Sequence, residues 1–317
     1  VCPHACRIPE GERGACSTRE NRGGRLYTLV HSRPCALAID PVEKKPFFHV
    51  LPGAKALSLA TVGCNLECKC CQNWEIAQAR PEQVPSRRLP PEDVVSLARR
   101  EGVPLVACTY TEPTVWSEYV LDIAAAGRRR GVRTVVVSNG YIQERPLAEL
   151  CREIAAYKVD LKGFDPAFYR SHTGGELRHV QDTLLRLRRH GTWVEIVTLV
   201  IPTRNDSEAE VRALARFVRD EVGPETPLHF TRFHPSYKMQ NLPATPVPTL
   251  ERCREAALGE GLRFVYLGNV PGHPAESTSC PGCAQVLLRR SGMAVVENRL
   301  KDGACPACRR AIPGIWS

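Results

Sequence analysis

Residues 56–76 read Ala-Leu-Ser-Leu-Ala-Thr-Val-Gly-Cys-Asn-Leu-Glu-Cys-Lys-Cys-Cys-Gln-Asn-Trp-Glu-Ile, and the fold is decided in this stretch. The apolar run Ala56–Val62 predicts a buried strand, and Gly63 ends it. Cys64, Cys68 and Cys71 follow in C-x3-C-x2-C spacing on the loop. Three thiolates this close in sequence can wrap one cuboidal iron–sulfur cluster and hold three of its four irons. Simple ferredoxin clusters use four cysteines, so a triad leaves one iron open to a substrate or cofactor. The plainer alternative is zinc, but zinc ligands usually come as two C-x2-C pairs across a long gap. Cys70 is a further thiol in the same turn, so the choice among Cys68, Cys70 and Cys71 stays open at this point.

The whole chain sets the bounds. Its 317 residues are 43% hydrophobic, enough for one large core with small appendages. No apolar run approaches the roughly 20 residues of a membrane-spanning helix. Val1 is not an initiator methionine and no signal-peptide pattern follows it, so the expectations are a truncated start and a cytoplasmic protein. Fifteen cysteines in close-spaced groups point to metal ligation in a reducing compartment rather than to disulfides. A net charge of +9 permits a nucleic-acid partner. The basic residues are spread along probable helices, as at Arg128–Arg130 and Arg186–Arg189, which favours solvated faces.

Both ends carry their own cysteines. Cys280-Pro-Gly-Cys283 and Cys305-Pro-Ala-Cys308 are two C-x2-C knuckles, with strands predicted at Val286–Arg290 and Met293–Asn298 between them. Four soft thiolates closing a tetrahedron give a zinc-ribbon or rubredoxin-like site for structural zinc or iron. Pro271–Ser279 reads as a linker to it. At the other end Cys2, Cys6 and Cys16 fall in C-x3-C-x9-C spacing among Pro and Gly. They are either three ligands of a metal completed by His4, Cys35 or an upstream residue, or unlinked thiols. Arg25–His31 and Pro34–Ile39 predict a hairpin. The expected division is a Cys-rich segment 1–55, a barrel 56–270 and a four-Cys segment 271–317.

Strand and helix signals alternate between the ends. After Ala56–Val62, strands are predicted at Leu105–Tyr110, Thr134–Val137, Tyr157–Leu161, Val194–Ile201, Leu228–Phe233 and Phe264–Leu267. The helices are Pro90–Glu101, Val115–Arg130, Leu147–Ala156, Gln181–His190, Glu208–Glu221 and Leu250–Gly259. Such alternation means parallel strands with right-handed crossovers, an α/β fold. Polar residues recur at the carboxyl ends of the strands, where parallel barrels build sites. They are Glu112 in Tyr110-Thr-Glu-Pro113, Ser138 and Asn139 before Gly140, Asp160 and Lys162, and His234 in Arg232-Phe-His-Pro235. Thr198, Asn205 and Asn269 are weaker candidates. Each has an ordinary alternative as a turn, cap or core residue; Thr173-Gly174-Gly175 is too short for a phosphate-binding loop.

The triad at this place resembles the hallmark of the radical S-adenosylmethionine (SAM) superfamily. The words Ile8-Pro-Glu-Gly-Glu-Arg-Gly14, Arg19-Glu-Asn21, Asp40-Pro-Val-Glu-Lys-Lys-Pro-Phe-Phe-His49, Leu51-Pro-Gly53 and Ile312-Pro-Gly-Ile-Trp316 narrow the likeness. Together they resemble the radical SAM enzyme of the AmmeMemoRadiSam system, a relative of the pyruvate formate-lyase activating enzymes, over nearly the whole chain. The resemblance implies a partial (β/α)6 barrel, TIM-like but open. It implies a 4Fe-4S cluster on Cys64, Cys68 and Cys71, whose open iron chelates SAM and whose electron frees a 5′-deoxyadenosyl radical. It implies SAM contacts from Glu112, Ser138, Asn139, Asp160, Lys162 and His234, and a fourth amino-terminal cysteine three residues before Cys2. The implied partners are an external electron donor such as flavodoxin or ferredoxin, and AMMECR1-like and Memo-like proteins.

The expected activity is hydrogen abstraction from a protein or small-molecule substrate, as in glycyl-radical activating enzymes. Three departures stand out: Tyr110 and Thr111 replace two glycines, Val137 replaces an Asp, and Cys70 replaces an aromatic residue. The carboxyl-terminal ribbon is also foreign to pyruvate formate-lyase activating enzymes. Competing readings are an RNA- or small-molecule-modifying radical SAM enzyme, and a metal-stabilised nucleic-acid or protein adaptor without SAM cleavage.

Overall fold

A computed structural model describes residues 1–317. Eight strands form one sheet in chain order: β3 (Ala36–Pro41), β4 (Lys55–Ala60), β5 (Leu105–Cys108), β6 (Arg133–Ser138), β7 (Ala156–Asp160), β8 (Trp193–Val200), β9 (Leu228–Arg232) and β10 (Val265–Gly268). Strands β4 to β10 are all parallel. Residues 56–60 of β4 and all four of β5 are buried, as in a sheet covered on both faces. All seven predicted strands are present; β4 to β9 are each followed by an α-helix, and β10 adds a seventh parallel strand with no α-helix after it. Val265–Gly268 extends the parallel run by pairing with residues 228–231. The end strands β3 and β10 are not neighbours, so the sheet does not close on itself.

Helices cross between the strands, and their sequences complement their own dipoles. Pro91–Arg100 starts on Pro91, Glu92 and Asp93 and ends on Arg99 and Arg100. The predicted helix to Ala156 stops instead at Cys151. Ala155 N–H donates to Thr134 O at 2.8 Å, drawing the chain into β7 beside β6. No helix is long and apolar enough to cross a membrane.

The predicted hairpin of Arg25–His31 with Pro34–Ile39 does not form. Arg25–Thr28 (β2) pairs back onto Arg19–Arg22 (β1) through Gly23-Gly24, both at positive φ. Such a two-residue turn matches the twist of its flanking strands. Ala36–Pro41 instead lies antiparallel to Lys55–Ala60, so the large sheet takes its edge strand from ahead of residue 56.

The expected linker 271–279 is also structured. Thr278–Ser279 (β11) joins Val286–Ser291 (β12) and Ala294–Asn298 (β13) in a three-stranded antiparallel sheet. Glu276 is buried and accepts Gly272 N–H at 2.9 Å and Gly292 N–H at 3.1 Å. This ribbon packs between the two edges of the open sheet. Phe48 from the β3 side, Phe264 and Tyr266 from the β10 side, and Leu287 and Ile312 from the ribbon share one core. Buried Arg290 donates to Phe48 O at 2.7 Å and Thr278 Oγ1 at 2.9 Å, with Glu43 at 3.6 Å. Beneath it, Glu195 accepts the N–H groups of Phe48 (2.9 Å) and His49 (2.8 Å) and pairs with His229 at 2.8 Å. A buried charge survives only when satisfied in this way.

Candidate active site

The loop after β4 begins at Gly63, where φ is +97° and an added Cβ would collide with the Thr18 side chain and sit 2.8 Å from Cys16 O. Glycine there lets the amino-terminal segment lie directly against the Cys64–Cys71 loop. His4 Nε2 meets Asn65 O at 2.6 Å from the same side. The other side is held by backbone bonds from Glu67 N–H to Thr173 O (2.8 Å) and Lys69 N–H to His172 O (2.9 Å). Those acceptors lie on a π-helical turn, Tyr169–Thr173. The adjacent Gly175 faces Leu66, 2.7 Å from where a Cβ would stand, so it serves close packing, while Gly174 takes a left-handed φ of +74°.

Cys64, Cys68, Cys70 and Cys71 line one cavity of about 470 Å³ at the carboxyl ends of the strands. Ser138, Asn139, Asp160, Lys162 and Asn269 line it too, so most of the predicted cofactor residues are brought together. Asn139 Nδ2 donates to Asn65 Oδ1 at 2.8 Å and lies 3.7 Å from Cys64 Sγ. Leu66 N–H approaches the same sulfur at 3.4 Å. Burial pushes the Cys64 thiol well above its usual range and Cys68 up to about 12. Deprotonation therefore has to come with metal binding. Soft sulfur donors on a partly buried loop, with two amide donors aimed at Cys64, fit an iron–sulfur cluster.

Asp160 sits between two lysines, Lys158 and Lys162, the latter at 3.2 Å. Burial alone would raise its carboxyl, but the two ammonium groups outweigh this and hold it down at about 2. Burial opposes the Lys162 ammonium, yet Asp160 and the neighbouring thiols push it well above its usual value. A depressed carboxyl contributes stability above its unfolded pKa of about 3.9, and loses it as pH falls through the folded value. For the apoprotein, Asp160→Asn should therefore cost roughly 2 kcal/mol at neutral pH, shrinking between about pH 4 and 2. Urea unfolding at stepped pH checks this; a constant difference across that window is the contrary result.

Other predicted residues stand elsewhere. Glu112, expected at the cofactor ammonium, is fully buried and does not line the cavity. Its carboxylate accepts Thr114 N–H and Asn139 N–H, both at 2.8 Å, and Ser138 Oγ–H at 2.7 Å. It thus fixes Ser138 and Asn139 from behind. His234 is exposed and outside the lining. Thr198 and Asn205 bond the backbone of the Asp160–Lys162 loop, through Leu161 O (2.8 Å) and Lys162 O (2.7 Å). Cys2, Cys6 and Cys16 share a separate cavity of about 120 Å³ with His4, but their sulfurs, like those of Cys64, Cys68 and Cys71, are not all drawn within 4.8 Å of one another. Lys45 and Lys158 also line the main cavity, as does Tyr110, which the sequence marks only as standing in place of a glycine. Lys158 carries a signal in sharing a strand face with Asp160 two residues on.

The carboxyl-terminal cysteines do converge. The ligand atoms of Cys280, Cys283, Cys305 and Cys308 all lie within 4.8 Å of one another, with Cys280–Cys308 at 3.5 Å and Cys283–Cys305 at 3.6 Å. Zinc–sulfur bonds of about 2.3 Å in a tetrahedron need sulfurs about 3.8 Å apart. Each knuckle is shaped alike, with Ala284 and Arg309 at positive φ just after the second cysteine.

Comparison with known proteins agrees with this geometry. The family model described as the radical SAM superfamily matches residues 58–215. The chain is 45% identical to the uncharacterized protein MJ0808 of Methanocaldococcus jannaschii, over 92% of this chain and 86% of that one. It is 31% identical to the isethionate sulfite-lyase activating enzyme of Nitratidesulfovibrio vulgaris, over 69% and 72% of the two chains. Among solved structures, a radical SAM methyltransferase from Sphaerobacter thermophilus has the same fold. It superposes with a TM-score of 0.53 at 17% identity, covering 74% of this chain and 71% of that one. On its sequence and on the cysteine loop after β4, the chain belongs to the radical SAM superfamily and is an activating-enzyme-like radical SAM enzyme.

Proposed function

We propose that the protein uses a 4Fe-4S cluster on Cys64, Cys68 and Cys71 to cleave SAM reductively and abstract a hydrogen atom from a substrate. The observation that carries this is the cavity shared by those cysteines with Ser138, Asn139, Asp160 and Lys162. Bound there, the cluster and SAM supply the electron and the radical precursor; the chain positions them and excludes water. Lys162 is the cation for the SAM carboxylate. Asn139 and Ser138, braced by Glu112, offer polar contacts to the methionine or ribose. Asn205 holds the Lys162 backbone in place. Relatives named as activating enzymes for isethionate sulfite-lyase, pyruvate formate-lyase and sulfopropanediol dehydratase support hydrogen abstraction.

The finer assignment is the AmmeMemoRadiSam branch, supported by the words at both ends of the chain. With it come a flavodoxin- or ferredoxin-type electron donor, AMMECR1-like and Memo-like partners, and a cytoplasmic setting. Zinc is the metal proposed for the carboxyl-terminal thiolates. Cys2, Cys6 and Cys16 are proposed as ligands of a further metal with a fourth donor.

The test is anaerobic reconstitution with iron and sulfide, followed by dithionite and SAM. Release of 5′-deoxyadenosine is expected; iron-loaded protein that binds SAM and releases none would overturn the proposal.

A further inference from the structure

The interior of the barrel is unusually cationic. Parallel barrels normally fill this space with branched apolar side chains. Here Lys44, Lys45, Lys158 and Lys162 line the cavity, with Asp160 as the one carboxylate among the lining residues. Lys45 is 2% exposed and Lys158 4%. Lys45 Nζ donates to Asp40 at 2.7 Å and Tyr110 OH at 2.8 Å, and Lys44 Nζ reaches the other oxygen of Asp40 at 2.7 Å. Lys158 and Lys162 likewise share Asp160. Each carboxylate therefore serves two ammonium groups, so before the cluster and SAM are bound the four lysines exceed the two carboxylates they share. Burying an ammonium costs several kcal/mol unless it is compensated. A half-compensated pair of sites facing open space is the arrangement an anion would complete.

The ribbon supplies the side wall. Met293, at the turn between β12 and β13, lines the same cavity beside Pro46. Glu276 holds that turn through Gly292 N–H, and Arg290 ties the ribbon to the β3 side through Phe48 O. The gap where the sheet fails to close is thus occupied by the protein's own chain. The cavity of about 470 Å³ must also take the cluster and SAM, so the space left beside Lys45 and Lys158 suits a compact molecule rather than an inserted protein segment.

We propose that Lys45 and Lys158, with Tyr110 and the Met293 wall, bind the carboxylate or phosphate group of a small-molecule substrate. This rests on the radical SAM reading of the same cavity. Inorganic phosphate and malonate serve as probes, titrated into anaerobic reconstituted enzyme and followed by calorimetry. At least one should bind with a dissociation constant of about 1 mM. Phosphate alone points to a phosphorylated substrate and malonate alone to a carboxylated one.

Lys45→Met and Lys158→Met should each weaken that binding roughly tenfold, about 1.4 kcal/mol. Met293→Glu should weaken it several-fold by placing a like charge in the wall. Met293 is 48% exposed, so this variant decides the matter if the lysine variants fail to fold. Binding of neither probe, or binding indifferent to Met293→Glu and to the folded lysine variants, overturns the proposal. If the same wild-type preparation still releases 5′-deoxyadenosine from SAM, only the anion site has failed; if it releases none, the radical SAM reading has failed.

Discussion

Cys64→Ala is expected to reduce 5′-deoxyadenosine release to background and to remove the iron of one cluster. The carboxyl-terminal metal should stay in place, because its four ligands lie on another element. The loss should be complete rather than graded. Two remaining thiolates cannot hold the cluster with one corner free, and the Asn139 and Leu66 donors would lose the sulfur they face. Cys68→Ala and Cys71→Ala should behave alike. Cys70→Ala should keep both iron and product, although Cys70 lines the same cavity. Iron analysis and product chromatography on oxygen-free protein check the series. Retained iron and product in Cys64→Ala is the outcome that sinks the assignment, and failure of Cys70→Ala in place of Cys71→Ala reassigns the third ligand.

Removing the carboxyl-terminal metal is expected to have the largest effect on stability. Structural zinc in finger peptides contributes about 10–16 kcal/mol at neutral pH, most of it folding energy. Cys280 and Cys305 belong to the core that holds Phe48, Tyr266 and Leu287 together. Without the metal the ribbon loosens, and Arg290 and Glu43 lose their shared setting. Breaking such a buried pair typically costs about 3–5 kcal/mol. In a chain of this size, Cys305→Ser should lower the unfolding midpoint by about 10 °C or more. Hydrogen exchange should quicken at Leu287 and Leu288, which are fully buried, and at the backbone of Phe48 and His49. An unchanged melting curve in metal-free protein would show that packing alone holds the ribbon.

Features carried by local spacing were legible in the sequence. The cysteine-rich loop after the first parallel strand, the two knuckles and the seven parallel strands each depend on residues close together in the chain. The two apolar runs of the expected hairpin look like each other's partner. The Gly23-Gly24 turn gave Arg25–Thr28 a nearer one, and the pairing surface of Ala36–Pro41 belonged to β4. Residues of the barrel interior were hidden for a different reason. Lys45 meets Tyr110 across 65 positions, and no periodicity announces such a contact. Glu112 shows the limit of a motif: the residue type was identified, but its partners, Ser138 and Asn139, lie 26 and 27 positions away.

The parallel bridge between Val50 and Ile315 has a consequence for biosynthesis. His49 also bonds the carbonyl of Pro313, 264 residues downstream. The underside of the barrel therefore stays open on the ribosome until the distal partner of these contacts has been made. Contacts this distant slow the search for the native state. Nascent chains stalled before residue 312 should thus be targets for chaperones and proteases, however complete their cysteine loop.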